Sequence, residues 1–465
     1  MAHVNSRRSF LQSAAAGAAL LLPACRRAAD DAPTPAVAPA GALRIDLRHS
    51  VRDGAHAFEP LRFRREPHWP RGADVELPDW GEFRVSAIGP GNTLLYREGF
   101  ESSIDAEGRA ALTELSVRVP MPASAARVVI EKRRAGNTFL EVAAFDVDPR
   151  ASAIDAAPAA LDARIDTLLS STGPGSKAKL AILGDGYRET EYLKFVADAR
   201  RAVEYLFSVE PFARRASDFN VVSVFTASGD SGITDPYLER RRDTLFRCRY
   251  GEGTAERTLF AGDNTTLREA ASLVPYDFLL VLANARRYGG SAYFGGPAVV
   301  AIDSAGARYL VLHELGHAIA GLAEEYYIPD GDGPVYGGNV EPWQPNVTLG
   351  LSSGKWRTDA ARATPWNKAE YDREFAKYVR AYRRLRQRRA GEQAVEMLMR
   401  VAGERQRALL AKNAPLRTVG HFEGAHGHAR GVYRAEVDCI MFSLQTRYYC
   451  SACEAALERS ITALL

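Results

Sequence analysis

Two histidines four residues apart, His313 and His317, lie in the segment 311–326, with Glu314 directly after the first. Four residues advance a helix by slightly more than one turn, so both imidazoles project from one face and their nitrogens can converge on one ion. Glu314 is offset to one side. From there a carboxylate reaches a water on the ion rather than the ion itself, which is what a general base must do. H-E-x-x-H is the signature of a zinc hydrolase. Val311, Leu312, Leu315, Ile319 and Leu322 give the segment an apolar back, while Gly316 and Ala320 are small where a helix must lie close to a neighbour. With 9 histidines in 465 residues, this pattern is uncommon by chance.

The N-terminus carries Arg7 and Arg8 in a twin-arginine pattern, followed by a short apolar run from Ala14 to Leu22 and then Pro23, Ala24 and Cys25. Residues 1–24 read as a twin-arginine export signal, too short in its apolar part to remain as a bilayer span. Cys25 resembles the lipid-modified cysteine of bacterial lipoproteins, with Pro23 a departure from that pattern. The expected location is therefore periplasmic or cell-surface, with any membrane attachment made through Cys25. Residues 25–41, rich in Ala, Pro and Asp, read as a disordered tether. Loss of residues 1–24 removes two arginines and no acids, lowering the formal charge from +3 to +1. Near-neutrality gives no reason to expect nucleic acid as a partner.

The chain is 46% apolar and 25% charged, an ordinary globular composition. Residues 42–150 hold short alternating runs separated by Gly and Pro turns, the pattern of an all-β sandwich. Residues 151–176 read as a linker, with a short helix expected near 159–169. From 177 to 465 the text becomes α/β, with buried-strand runs at 180–183, 219–225 and 278–282. Residues 368–412, dense in Ala, Glu, Arg and Leu, predict a pair of long charged helices inserted into that domain.

Over nearly all of the mature chain the sequence resembles the IgA peptidase family of zinc metallopeptidases. The segment 313–326 is similar to the family's H-E-x-x-H-x-x-x-G-L-A-D-E-Y, and further likeness lies at 182–187, 210–212, 288–291, 422–425 and 439–441. Residues 43–46 and the sandwich after them look like the family's N-terminal domain. The resemblance implies a metzincin-like α/β metallopeptidase domain acting on polypeptide. Glu324 stands where the family commonly has Asp, and the helical insertion is not general to it.

A hydrolytic zinc site usually takes three protein ligands. A helix continued past Gly321 would carry Glu324 roughly 10 Å along the axis from His317, far beyond a ~2 Å bond. Gly321 can leave helical geometry without steric penalty and fold the chain back, as the glycine of metzincins does. In that comparison the ligand follows three residues later, which selects Glu324. Glu325 is the adjacent alternative, and Glu341, His421, His426 and His428 are more distant ones. Met441 resembles the methionine that lies beneath the metal in metzincins. Tyr326, Tyr433, Tyr448 and Tyr449 are candidates to stabilise a carbonyl oxyanion.

Cys248, Cys439, Cys450 and Cys453 are an even number, which permits disulfides in an exported protein, while Cys450 and Cys453 with Cys439 nearby also have the spacing of a structural zinc knot. The function expected from all of this is hydrolysis of peptide bonds, with Zn2+ on His313, His317 and Glu324 and with Glu314 as base. The strand near 298–302 is expected to pair with an extended substrate. Two other readings are a surface lipoprotein that binds a polymer through its sandwich, its metal site vestigial, and a hydrolase of cell-wall cross-links. Glu314 argues against the first, since a purely structural site has no use for a base there.

Overall fold

The computed structural model describes residues 41–72, 75–104, 112–172, 176–252, 255–329, 340–351, 354–360, 362–413 and 415–465. The expectations for the export signal, Arg7, Arg8, Cys25 and most of the tether lie outside these residues. The architecture is mixed α/β with several sheets.

Alternation decides the first part of the chain. In strand Ala42–Arg52, Leu43, Ile45 and Leu47 are wholly buried in an apolar cluster, while Arg44 and Asp46 face the opposite way and are also buried. The strand lies in a four-stranded sheet ordered Glu114–Pro120, Ala42–Arg52, Ala55–Glu66, Ile154–Asp155. A second four-stranded sheet is ordered Leu94–Phe100, Phe83–Ile88, Ala126–Arg134, Thr138–Val147. Phe83, Val85, Val128 and Ile130 of the second sheet join Leu43, Ile45, Val117 and Val119 of the first in one core.

The charged face of the first sheet meets the rest of the molecule. Arg44 and Arg64 reach Glu269 at 2.7 and 2.6 Å, Arg71 reaches Asp277 at 3.0 Å, and Arg118 stacks 3.9 Å over the Tyr276 ring. Buried guanidinium groups need such partners, because an unpaired charge removed from water costs several kcal/mol, on the order of 3–5.

The later part is built on a six-stranded sheet ordered Gly290–Ser291, Ala298–Ala301, Phe278–Ala283, Ala178–Asp185, Phe219–Phe225, Arg164–Leu169. The inner pairings are parallel and the two edge strands antiparallel. Strands buried on both faces need continuous apolar runs, which residues 180–183 and 279–283 supply. The helix expected near 159–169 is instead the edge strand Arg164–Leu169, with Ile165 opposite Val224. Alanine-rich text favours a helix locally, but pairing covers the otherwise open edge of Phe219–Phe225, and tertiary pairing overrides propensity.

Six α-helices occur among the described residues: α1 Tyr192–Leu206, α2 Asn264–Ala271, α3 Ala307–Ala320, α4 Lys368–Gln387, α5 Glu392–Leu410 and α6 Ser451–Thr462. α3 carries the histidine pair and is buried nearly all round, as its apolar composition requires. α4 and α5 form the expected helical pair and pack on each other.

Candidate active site

α3 ends at Gly321, which adopts the left-handed conformation with φ 56°. Its N–H bonds to the carbonyl of His317 at 2.9 Å, the bond of a left-handed helix stop, and the Leu322 N–H reaches back to Gly316 at 3.4 Å. A Cβ at Gly321 would stand 2.5 Å from the Trp343 ring, so both conformation and space demand glycine. The stop turns residues 322–326 back along the helix.

The turn separates the two adjacent acids. Glu324 Oε2 lies 3.0 Å from His313 Nε2, its Oε1 lies 3.3 Å from His317 Nε2, and the two Nε2 atoms are 3.2 Å apart. Glu325 points the other way into full burial, where it accepts a hydrogen bond from Asn346 at 3.1 Å. Among the described residues, His313, His317 and Glu324 form one group within reach of a common ion. Two ligands each ~2.05 Å from a tetrahedral ion stand about 3.3 Å apart, close to the 3.0–3.3 Å between the two imidazole nitrogens and the carboxylate oxygens of Glu324.

The outer nitrogens fix the tautomers. His313 Nδ1 is 3.2 Å from the carbonyl of Ile440 and 2.8 Å from the Tyr309 hydroxyl, and His317 Nδ1 donates to the carbonyl of Leu322. A carbonyl only accepts, so each Nδ1 carries a hydrogen and each Nε2 offers its lone pair inward. Glu324 Oε2 has no hydrogen-bond partner although it is close to His313, as expected where two lone pairs face a shared cation. Burial opposes charge on His317, yet Glu324 pushes its pKa up to about 9. The pocket calls for positive charge, and its donor set fits a divalent ion of borderline softness.

Glu314 lies beside this group, 7% exposed. Burial pushes its carboxyl up to about 7, against the lowering effect of His313 and His317. Gly290 makes room for it, since a Cβ there would stand 2.7 Å from Glu314 Oε1. Met441 packs against the helix, its sulfur 3.1 Å from where a Cβ of Gly316, the residue before His317, would be. Its carbonyl accepts the N–H of Glu325 at 2.8 Å, tying the returning loop to the segment around Met441.

Other expected residues are dispersed. His426 lines the same cleft, and its N–H bonds the carbonyl of Glu324 at 2.8 Å. His421 packs against Trp356 and Tyr433, and Glu341 pairs with Lys355 at 2.9 Å. Of the four candidate tyrosines only Tyr326 lines the cleft. Tyr449 is buried and donates to the carbonyl of Leu312, Tyr433 pairs with Thr348 in a small sheet, and Tyr448 lies under Arg417. Ala298–Ala301, the strand expected to pair with substrate, has neighbours on both sides, and the strand at the sheet edge beside the cleft is Gly290–Ser291.

The cleft, about 940 Å³, includes residues that the sequence did not single out. Tyr309 precedes His313 by one helical turn, a spacing that could have marked it. Glu101 arrives from the N-terminal sheets, held by its N–H on the carbonyl of Phe294 at 2.9 Å, and burial pushes its carboxyl up to about 7. No local pattern announced it. The far wall is α4 and α5: Tyr371, Phe375, Tyr378 and Tyr382 recur at helical spacing along α4 and face Met399 and Gly403 of α5 across the cleft lining. Arg257 anchors that wall, bonding the Tyr378 hydroxyl at 3.3 Å and lying 4.6 Å over the Tyr288 ring.

A family profile described as IgA Peptidase M64 matches residues 167–461, a span that includes every one of the converging residues except Glu101. The chain belongs to the IgA Peptidase M64 family. It is thereby a peptidase, a hydrolase of a metallopeptidase family, with polypeptide as its class of substrate. A comparison with curated proteins found no match. Within this M64 peptidase the buried Asp185 of the 182–187 motif serves architecture, accepting the N–H groups of Phe246 and Cys248 at 2.9 and 2.8 Å.

Proposed function

We propose that this M64 peptidase is a zinc-dependent endopeptidase in which His313, His317 and Glu324 hold the ion and Glu314 is the general base. The observation that carries the reading is the convergence of three inward lone-pair donors at 3.0–3.3 Å beside a buried carboxyl in an open cleft. Zinc bound there would polarise the scissile carbonyl and acidify the attacking water. Glu314 takes the proton from that water and passes it to the amine nitrogen as the C–N bond breaks. Tyr326 lines the same cleft, and its hydroxyl, which bonds Glu324 in the metal-free chain, would donate to the carbonyl oxygen. The Gly290–Ser291 strand borders the cleft at the sheet edge and would lie alongside an extended substrate, its Gly290 N–H being held by the carbonyl of Arg257 at 3.2 Å.

The left-handed turn at Gly321 and the Met441 floor support a metzincin-like reading of the catalytic domain, and the shared core of the two N-terminal sheets supports reading them as a β-sandwich. Arg7, Arg8 and Cys25 support export by the twin-arginine route to the periplasm or cell surface, with a lipid on Cys25 as the anchor. A mature N-terminus beyond Cys25 in mass spectrometry would remove the anchor. No helix among the described residues is long and apolar enough to cross a membrane.

The test is metal removal and return. Chelation should abolish cleavage of a denatured protein substrate, and zinc should restore it. Glu324→Ala should raise the zinc concentration needed for restoration by about 100-fold or more. Cleavage indifferent to chelation, or restoration of Glu324→Ala at the wild-type zinc concentration, would defeat this reading.

A further inference from the structure

Behind the catalytic loop lies a second constellation of metal-ligating side chains. Cys439, Cys450, Cys453 and Glu325 are all fully buried, and their ligand atoms lie within 4.8 Å of one another. Cys439 Sγ and Cys453 Sγ are 3.7 Å apart, and Glu325 Oε1 is 3.2 Å from Cys453 Sγ and 3.4 Å from Cys450 Sγ. For a tetrahedral zinc with Zn–S near 2.3 Å and Zn–O near 2.05 Å, S···S should be about 3.75 Å and S···O about 3.55 Å. The observed separations are within a few tenths of an ångström of both.

The surroundings suit thiolates. Cys450 is the N-cap of α6 and Cys453 lies in its first turn, where the helix dipole favours negative charge. Cys439 Sγ accepts the N–H of Cys450 at 3.1 Å and that of Met441 at 3.4 Å. Glu325 Oε2 is buried without a hydrogen-bond partner, a costly state for a carboxylate that a cation relieves. Cys248 stands elsewhere, on strand Cys248–Tyr250 with its N–H on Asp185. Two disulfides are therefore not available: one bridge within the cluster would leave an odd buried thiol, and the four cysteines are unbridged here.

The geometry points to a second, structural zinc ion held by Cys439, Cys450, Cys453 and Glu325. Three thiolates and one carboxylate fill a closed tetrahedral set with no place for water, unlike the His313 site. As zinc enters, the three thiols release three protons to solvent, and nothing is oxidised or reduced. The ion would join the loop after Gly321, the segment around Met441 and the start of α6. Since Glu325 adjoins Glu324 and Cys439 is two residues from Met441, it would hold the third catalytic ligand and the floor of the cleft in register.

The experiment is zinc stoichiometry on the whole folded chain, purified without chelator, beside the double variant His313→Ala/His317→Ala. The structure predicts two zinc ions per wild-type chain and one in the double variant. Cobalt substituted into that variant should show a near-ultraviolet thiolate charge-transfer band, which a histidine–carboxylate site cannot give. Should the variant fail to fold, the wild-type chain decides. Unfolded in guanidine with chelator but no reductant, it should expose all of Cys248, Cys439, Cys450 and Cys453 to alkylation, whereas folded and metal-loaded it should protect the three clustered thiols. A disulfide among the three, a folded double variant holding no metal, or one metal ion in the wild-type chain would overturn the inference.

Discussion

Replacing Glu314 with Gln should remove activity and at the same time stabilise the metal-free chain. Burial carries the Glu314 carboxyl from its ordinary value of 4.5 to about 7, so above pH 7 the folded chain bears a charge that its surroundings oppose. At ~1.4 kcal/mol per tenfold change in protonation, that opposition amounts to about 3 kcal/mol. The sign follows from proton binding. Between pH 4.5 and 7 the folded state holds the Glu314 proton more tightly than the unfolded state, so stability falls as pH rises through this window and the full cost is present above it. A neutral isostere escapes the cost. In urea unfolding with excess chelator, Glu314→Gln should exceed wild type by about 1 kcal/mol at pH 5 and about 3 kcal/mol at pH 8. Equal stability at pH 8, or a difference that does not vary with pH, would refute the claim that the site holds its base under strain.

Two further substitutions probe the supports of the site. Gly321→Ala must place a Cβ in the left-handed region and 2.5 Å from the Trp343 ring, so it should destabilise the chain by about 3 kcal/mol in denaturant titration. A loss below about 1 kcal/mol would show that the turn relaxes freely. Glu269→Ala removes a carboxylate shared by the buried Arg44 and Arg64, which keep Asp46, Glu66 and Asp155, and should cost about 2 kcal/mol as charge-assisted hydrogen bonds are lost. An unchanged unfolding midpoint would mean that the N-terminal sheets are not locked to the catalytic part by these pairs.

How much could be read in advance follows from where each signal resides. The histidine pair, Glu314 and the stop at Gly321 were legible because helical spacing and one glycine are local properties, and the structure brings Glu324 to the histidines while Glu325 turns away. The parallel strands were legible as continuous apolar runs. The Arg164–Leu169 strand was not, because only the bare edge of Phe219–Phe225 selects it. Glu101 was not either, since its role depends on a contact with Phe294, 193 residues away. The helical pair α4 and α5 was legible as helices, but its aromatic stripe reads as ordinary core until the fold sets it across from His313. The spacing of Cys439, Cys450 and Cys453 was legible as a zinc knot beside the disulfide reading, but their fourth partner Glu325 was not, because only the turn after Gly321 carries it to them.

The most direct measurement is digestion of a library of proteome-derived peptides by the wild-type chain and by Glu314→Gln at equal, measured zinc content, with products identified by mass spectrometry. The account predicts internal cleavages by wild type and a loss of at least about 100-fold in rate for the variant, with zinc retained. Comparable cleavage by both proteins, or no cleavage by a zinc-loaded wild-type chain, would contradict it.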